Sequence, residues 1–339
     1  MLSTELATSA SEYATRLTPD SNVPPVVRRP RDNSRDVLPS VNTLAIRTED
    51  LTKHYGPVHA LESLTLEVSR GEIFGFLGAN GAGKTTTIRL LLDLLRPTRG
   101  RAFLNGYDCQ RESLRARASV GYLPGEMPIY PDIDGRQLIA FLAALHTEAP
   151  DPEWIDTLLR RFGLSEIVLD RRLVQLSHGM KQKVGLVQAL MARAPVMVLD
   201  EPTAGLDPLM IEAFCETMTE LRASGHTIFL SSHVLSEVER LCDRIALVTG
   251  GQLVKVAGIE EIRRDFPRRV RVTFREPAGD PPRLDDVSVL QADAREWRLE
   301  VRGALGALFE HIEGSNIADV DIENFRLEDY ILRLYKERQ

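Results

Sequence analysis

The chain has 339 residues, 43% of them hydrophobic and 27% charged, with a formal net charge of −7. That is chain enough for one large α/β domain with a smaller addition, and the acidic balance gives no general electrostatic pull on nucleic acid. No run approaches the ~18 consecutive apolar residues that a membrane helix requires, and Cys109, Cys215 and Cys242 have neither metal-site spacing nor a disulfide framework, which fits a reducing cytosol.

Residues 1–42 mix Pro19, Pro24, Pro25, Pro30 and Pro39 with serines and charges of both signs. Such a composition buries too little apolar surface to offset the cost of ordering, which predicts a disordered tail. Its Arg28, Arg29, Arg31 and Arg35 could face anionic lipid or a partner, or simply water. Glu5 and the lack of an apolar run argue against a secretory signal.

From Leu44 the pattern turns to short strands punctuated by glycine. Ile73–Leu77 is an apolar run leading into Gly78-Ala79-Asn80-Gly81-Ala82-Gly83-Lys84-Thr85, followed by Thr86 and an amphipathic helix expected over Thr85–Arg96. Glycines let the backbone curl around phosphates, and the N–H groups opening the next helix face the anion. In that arrangement Lys84 would reach β- and γ-phosphates and the Thr85 hydroxyl would ligate Mg²⁺. A buried strand before the loop and a helix after it are the context this motif needs.

A more helical stretch follows, with apolar residues at helical spacing over Gln137–His146 and Glu153–Phe162. Residues 126–180 are expected to form a helical subdomain inserted into the sheet. It ends on Leu176-Ser177-His178-Gly179-Met180-Lys181-Gln182, where Ser177 is a good N-cap. A hydroxyl, a glycine N–H and a helix start also make an anion site. A second, half-formed phosphate site makes sense if it completes the first site of a neighbouring copy.

Val196–Leu199 is a buried strand that delivers Asp200 and Glu201 at its polar end. Asp200 can hold Mg²⁺, and Glu201 can orient or deprotonate an attacking water. Thr227–Leu230 is another buried strand, ending on Ser231-Ser232-His233. Strands alternating with helices predict an α/β fold with a mostly parallel sheet.

Taken in order, these residues resemble the ABC ATPase family, over about residues 44–256. The resemblance implies that Ser177 and Gly179 belong to the signature loop, which binds the γ-phosphate of ATP held by the opposite subunit. It implies a D-loop at Ala204-Gly205-Leu206-Asp207, a switch histidine at His233 and an adenine-stacking aromatic at Tyr55. The nucleotide set it implies is Tyr55, Gly78, Asn80, Gly81, Ala82, Gly83, Lys84, Thr85, Thr86, Ser177, Gly179 and Asp207. Glu201, His233 and Lys84 would act in catalysis, with Thr85 and Asp200 on the metal.

The sequence departs from the family at two places. The strand Val120-Gly121-Tyr122-Leu123-Pro124 is usually followed by a glutamine that contacts Mg²⁺ and the attacking water; Gly125 stands here, with Glu126 next. Either Glu126 or a water takes part of that role, or Gly125 is simply a turn. His178 occupies a signature-loop position where glycine is commoner.

Beyond about Arg264 the glycine punctuation thins. Strands are expected at Val270–Phe274, Val287–Leu290 and Trp297–Val301, and helices at Ala304–His311 and Leu327–Lys336. The chain thus divides into a tail (1–42), an ATPase domain (43–262) and an accessory α+β domain (263–339). Leu327-Glu328-Asp329-Tyr330-Ile331-Leu332 is similar to the closing helix of single-domain ATPases of bacterial drug and antibiotic exporters. The expectation is a cytoplasmic homodimer on the inner face of the membrane, driving a separate integral membrane permease and binding no nucleic acid. The competing reading is a soluble ABC ATPase acting on DNA or the ribosome. No sustained heptads mark the coiled coil of DNA-repair members, and translation-factor members have two phosphate loops where this chain has one.

Overall fold

The computed structural model describes residues 43–127, 132–265, 267–302, 304–323 and 326–336. The tail expected over 1–42 lies outside the described residues. Two compact units are present: Met1–His233 with Ala246–Val254, and Val234–Ile245 with Lys255–Gln339. This division differs from the expected break at 262/263, because the short helix Leu235–Leu241 packs within the second unit. There Glu239 Oε2 accepts from the Leu327 N–H at 2.9 Å, and the Glu239 carbonyl accepts from Arg263 Nη2 at 2.9 Å.

The strands run β1 (Leu44–Tyr55), β2 (Val58–Ser69), β3 (Ile73–Leu77), β4 (Arg99–Leu104), β5 (Tyr107–Asp108), β6 (Val120–Leu123), β7 (Val196–Asp200), β8 (Thr227–Ser232), β9 (Arg244–Thr249) and β10 (Gln252–Gly258). One sheet has the order β2-β1-β4-β5; the other, of six strands, has the order β10-β9-β3-β8-β7-β6. In place of the short strands expected from Leu44, β1 and β2 form a long antiparallel hairpin interrupted by register shifts. Its β2 buries Leu64, Leu66 and Val68 and exposes Thr65 and Glu67 between them, as a strand covered on one face does.

The six-stranded sheet has a parallel run, in which β3 pairs parallel with β8, β8 with β7 and β7 with β6. Every residue of β3, β7 and β8 is buried, because a parallel sheet is covered on both faces. The Phe229 ring packs 6.0 Å from Phe74 and 5.4 Å from Phe76. Register then aligns the strand ends: Leu77 pairs with Ser232, Asp200 with Ser231, and Leu123 with Leu199. The phosphate loop, the acidic pair, His233 and Gly125 therefore all leave the sheet along one carboxyl edge, where open α/β sheets bind ligands.

The helix after the phosphate loop covers Lys84–Leu91 rather than reaching Arg96. Asp93 turns to φ 54°, and the Leu94 and Leu95 N–H groups both fold back onto the Arg89 carbonyl, at 2.8 and 3.1 Å. Between β6 and β7 lie helices Gly135–Ala144, Pro152–Arg161 and Glu166–Leu169, a 3₁₀ turn at Leu173–Gln175 and a long helix, His178–Leu190. The first carries a capping box between Asp134 and Gln137.

The second unit has a sheet ordered β12-β13-β11-β14, from β11 (Arg268–Phe274), β12 (Val287–Ala292), β13 (Glu296–Val301) and β14 (Ile317–Glu323). Val270, Val272, Phe274, Trp297 and Leu299 form its core with Leu308 and Ile312 from helix Gly306–Ile312. Among the described residues no helix is long and apolar enough to cross a membrane.

Candidate nucleotide site

The phosphate loop is shaped by close approaches that exclude side chains. A Cβ on Gly78 would lie 2.4 Å from the Val248 carbonyl oxygen, and one on Gly83, at φ +105°, would lie 2.7 Å from that of Ala60. Gly83 caps the Lys84–Leu91 helix without a side-chain hydrogen bond, and the first turn holds no acid. Its leading N–H groups and the positive end of its dipole are thus left to an anion. Ala82 is buried, and its N–H donates to the Ala79 carbonyl at 3.0 Å. A cavity of about 210 Å³ is lined by Ala60, Ala79, Asn80, Gly81, Gly83, Lys84, Thr85, Thr86 and Glu201.

Lys84 is 6% exposed; its Nζ donates to the Gly78 carbonyl at 2.6 Å and lies 3.2 Å from Glu201 Oε1. Glu201 Oε2 is 2.7 Å from His233 Nδ1. The Glu201 backbone has φ 50°, an uncommon conformation for a non-glycine residue, and its neighbours hold it there. Its N–H donates to the carbonyl and the hydroxyl of Ser231, at 3.2 and 3.0 Å. Its carbonyl accepts from Gln182 Nε2 at 3.1 Å, and the same nitrogen donates to the Pro202 carbonyl at 3.0 Å.

Asp200 is 1% exposed. Its Oδ1 accepts from Ser231 Oγ at 2.5 Å, while Oδ2 is buried with no hydrogen-bond partner among the described residues. A Cβ on Gly125 would come within 3.2 Å of that Oδ2. Glu126 is exposed. Burial, and then the Asp200 charge, hold the Tyr122 phenol above its ordinary pKa.

Ser177, Gly179 and Asp207 form a second locus. Ser177 caps the His178–Leu190 helix, accepting from the Met180 N–H at 3.3 Å. Gly179 lies against the Gly205 carbonyl, with room for no Cβ. Asp207 caps the helix Pro208–Ala223 by accepting from the Met210 N–H at 3.0 Å, and Lys183 Nζ stands 3.8 Å from its carboxylate. Gln182 lies on the Ser177 helix, so one buried amide joins this locus to Glu201. Tyr55 stands apart from the cavity lining, exposed at the end of β1, with Lys53 Nζ 4.9 Å from its ring centre.

No local sequence pattern marks Gln182, Ser231 or Ala60 as site residues. Gln182 and Ser231 act through partners distant in the chain, and Ala60 lines the cavity through the fold of the hairpin.

A family model described as ABC transporter matches residues 61–204. The bacitracin transport ATP-binding protein BcrA of Bacillus licheniformis is 37% identical over 310 residues, covering 85% of this chain and 96% of that protein. The daunorubicin resistance ATP-binding protein DrrA3 of Streptomyces coeruleorubidus is 35% identical, over 68% of this chain and 74% of that protein. Among solved structures, an ATP-binding subunit of an ABC transporter superposes with a TM-score of 0.61 at 36% identity, over 66% of this chain and 92% of that one. A dimeric cassette bound to ADP and Pi has the same fold, with a TM-score of 0.58 at 20% identity, over 63% of this chain and 98% of that one. Matched along nearly the whole length of such a relative, this chain belongs to the ATP-binding, ATP-hydrolysing subunits of ABC transporters.

Proposed function

We propose that two copies of this chain close head to tail on two molecules of ATP·Mg²⁺ and thereby drive a separate membrane permease that exports its cargo. The observation that carries the reading is the separation of two half-sites. The phosphate-loop cavity is walled by Ala60, the loop and helix start from Ala79 to Thr86, and Glu201, and neither Ser177 nor Gly179 lines it. Those two stand instead at an exposed or half-exposed helix start. A second copy brings its Ser177 and Gly179 to the γ-phosphate held here, and Asp207 lies at the seam.

Within each site the chain's own groups divide the work. The backbone of Gly78, Asn80, Gly81, Ala82 and Gly83 cradles the phosphates, with Thr86 beside them, and the Tyr55 ring stacks on adenine. The γ-phosphate competes with Glu201 for Lys84 Nζ. Glu201, released from Lys84 and still held by His233, faces the attacking water and accepts its proton. Mg²⁺, when bound, neutralises charge on the β- and γ-phosphates; Thr85 and Asp200 would hold it. A buried, unpaired Oδ2 on Asp200 suits a hard cation of that kind.

The names of the bacitracin-transport and daunorubicin-resistance relatives support export of an antibiotic-like compound. The permease would hold this subunit at the cytoplasmic face of the cell membrane. The test is to express tagged Glu201→Gln protein in its native cells, solubilise membranes with ATP present and identify what co-purifies. One polytopic membrane protein at matching stoichiometry supports the reading; ribosomes, nucleic acid or no partner at all would overturn it.

A further inference from the structure

We propose that His54, His59 and Glu62 form a binding site for a divalent transition metal of the zinc class at the tip of the β1–β2 hairpin. His54 and His59 are register partners on the two strands, and Glu62 lies three residues further along β2, past the register shift between the His54–His59 and Lys53–Leu61 pairs. His54 Nε2 is 2.8 Å from Glu62 Oε2, and His59 Nδ1 is 3.2 Å from the same oxygen. The three ligating atoms all lie within 4.8 Å of one another. Tetrahedral zinc with bonds of 2.0–2.2 Å needs its ligands about 3.4 Å apart, so the set closes on an ion with a small movement.

The supporting groups leave one oxygen facing both rings. Arg99 Nη2 is 3.5 Å from Glu62 Oε1 and 3.4 Å from Ser63 Oγ, which orients the carboxylate with Oε2 towards the histidines. The Glu62 N–H donates to the Gly251 carbonyl at 2.8 Å and fixes the backbone beneath it. Lys53, the other nearby cation, turns away and donates to the Arg96 carbonyl at 2.8 Å. The imidazole rings stack at 4.0 Å with 14° between their planes, so one of them must turn to aim its lone pair at a shared ion. His59 can do so, because its side chain is 61% exposed.

Two imidazoles and one carboxylate suit zinc and its neighbours rather than Mg²⁺ or Ca²⁺, and water completes the shell. Three protein ligands with an arginine close by predict micromolar rather than nanomolar affinity. Such an ion would pin the two strands on either side of Tyr55 and the cavity-lining Ala60.

The test uses the full chain with its purification tag removed and no nucleotide added, titrated with Zn²⁺ alone by calorimetry. One equivalent should bind, and Co²⁺ in its place should give the visible absorption of a tetrahedral site. The double variant H54A/H59A should lose at least about tenfold in affinity. Glu62→Gln, which keeps the shape of the side chain, should lose as much, with thermal melting verifying that both variants fold. A wild-type chain that takes up no zinc, or folded variants that bind it as tightly as the wild type, would overturn the proposal.

Discussion

Glu201 Oε2 lies 2.7 Å from His233 Nδ1 while Oε1 lies 3.2 Å from Lys84 Nζ, so one carboxylate joins the end of β7, the end of β8 and the phosphate loop. The parallel register that sets Asp200 opposite Ser231 makes this possible. On the proposed reading, Glu201 held at that point, beside the phosphate loop, is the group that accepts the proton of the attacking water. Glu201→Gln keeps the shape and the backbone bonds but removes the basic oxygen. Turnover should fall by about 10²–10⁴-fold while ATP binding persists. Phosphate release and binding of a fluorescent ATP analogue measure the two separately; turnover within threefold of wild type would exclude Glu201 as the acceptor.

Gln182 should act as a positioning residue. It is 1% exposed, and its amide is the donor to the Glu201 and Pro202 carbonyls. Gln182→Leu leaves both carbonyls without that donor, at a cost of about 1–3 kcal/mol. If the amide also sets the Glu201 carboxylate, kcat should drop while KM for ATP stays near its wild-type value. A lowered melting temperature with unchanged kcat would mean that Gln182 only stabilises the fold.

His178 and Gly205 should prove coupled. A Cβ on Gly205 would lie 2.5 Å from His178 Cδ2, and Gly205 has φ +74°. Gly205→Ala should therefore cost the left-handed strain of about 1–2 kcal/mol plus a steric share. In the double variant H178G/G205A the steric share should vanish and the strain remain. Denaturant unfolding of the four proteins of this cycle gives the coupling; strictly additive changes would show that the two residues do not press on each other.

Gly125 gives the unpaired Asp200 Oδ2 its space. The backbone there is not left-handed, so Gly125→Ala should fold, but its Cβ would stand 3.2 Å from that oxygen. The Mg²⁺ concentration for half-maximal turnover should rise as the carboxylate is pushed aside. An unchanged Mg²⁺ profile would separate Gly125 from the metal.

Much of this arrangement was legible in the sequence because the residues concerned state their own surroundings. β3, β7 and β8 are short, mainly apolar runs, as strands covered on both faces are; β7 ends on Asp200, β8 on Ser231 and Ser232, and β3 runs straight into the glycine loop. The phosphate loop was readable because its glycines stand between such a strand and a helix. The end of that helix was not: Leu90–Leu95 is apolar but for Asp93, and the helix stops where Asp93 turns to φ 54° and Leu94 and Leu95 fold back onto the Arg89 carbonyl. β14 escaped notice because Asp319, Asp321 and Glu323 alternate with only half-buried apolar residues. Gln182 and Ser231 were invisible as site residues for a different reason. Their partners are 19 and 31 positions away, and no local pattern encodes a contact of that range.

The most direct test of the composite site mixes two crippled chains. Lys84→Ala disables the phosphate loop of its own copy, and Ser177→Arg blocks the loop offered to the other copy. If each site takes Lys84 from one chain and Ser177 from its partner, a mixed pair places both defects in one site and leaves the other intact. ATP hydrolysis by the mixture should then exceed the sum of the two proteins assayed alone. If each chain completes its own site, every site in the mixture carries a defect, and turnover equal to that sum would contradict the account.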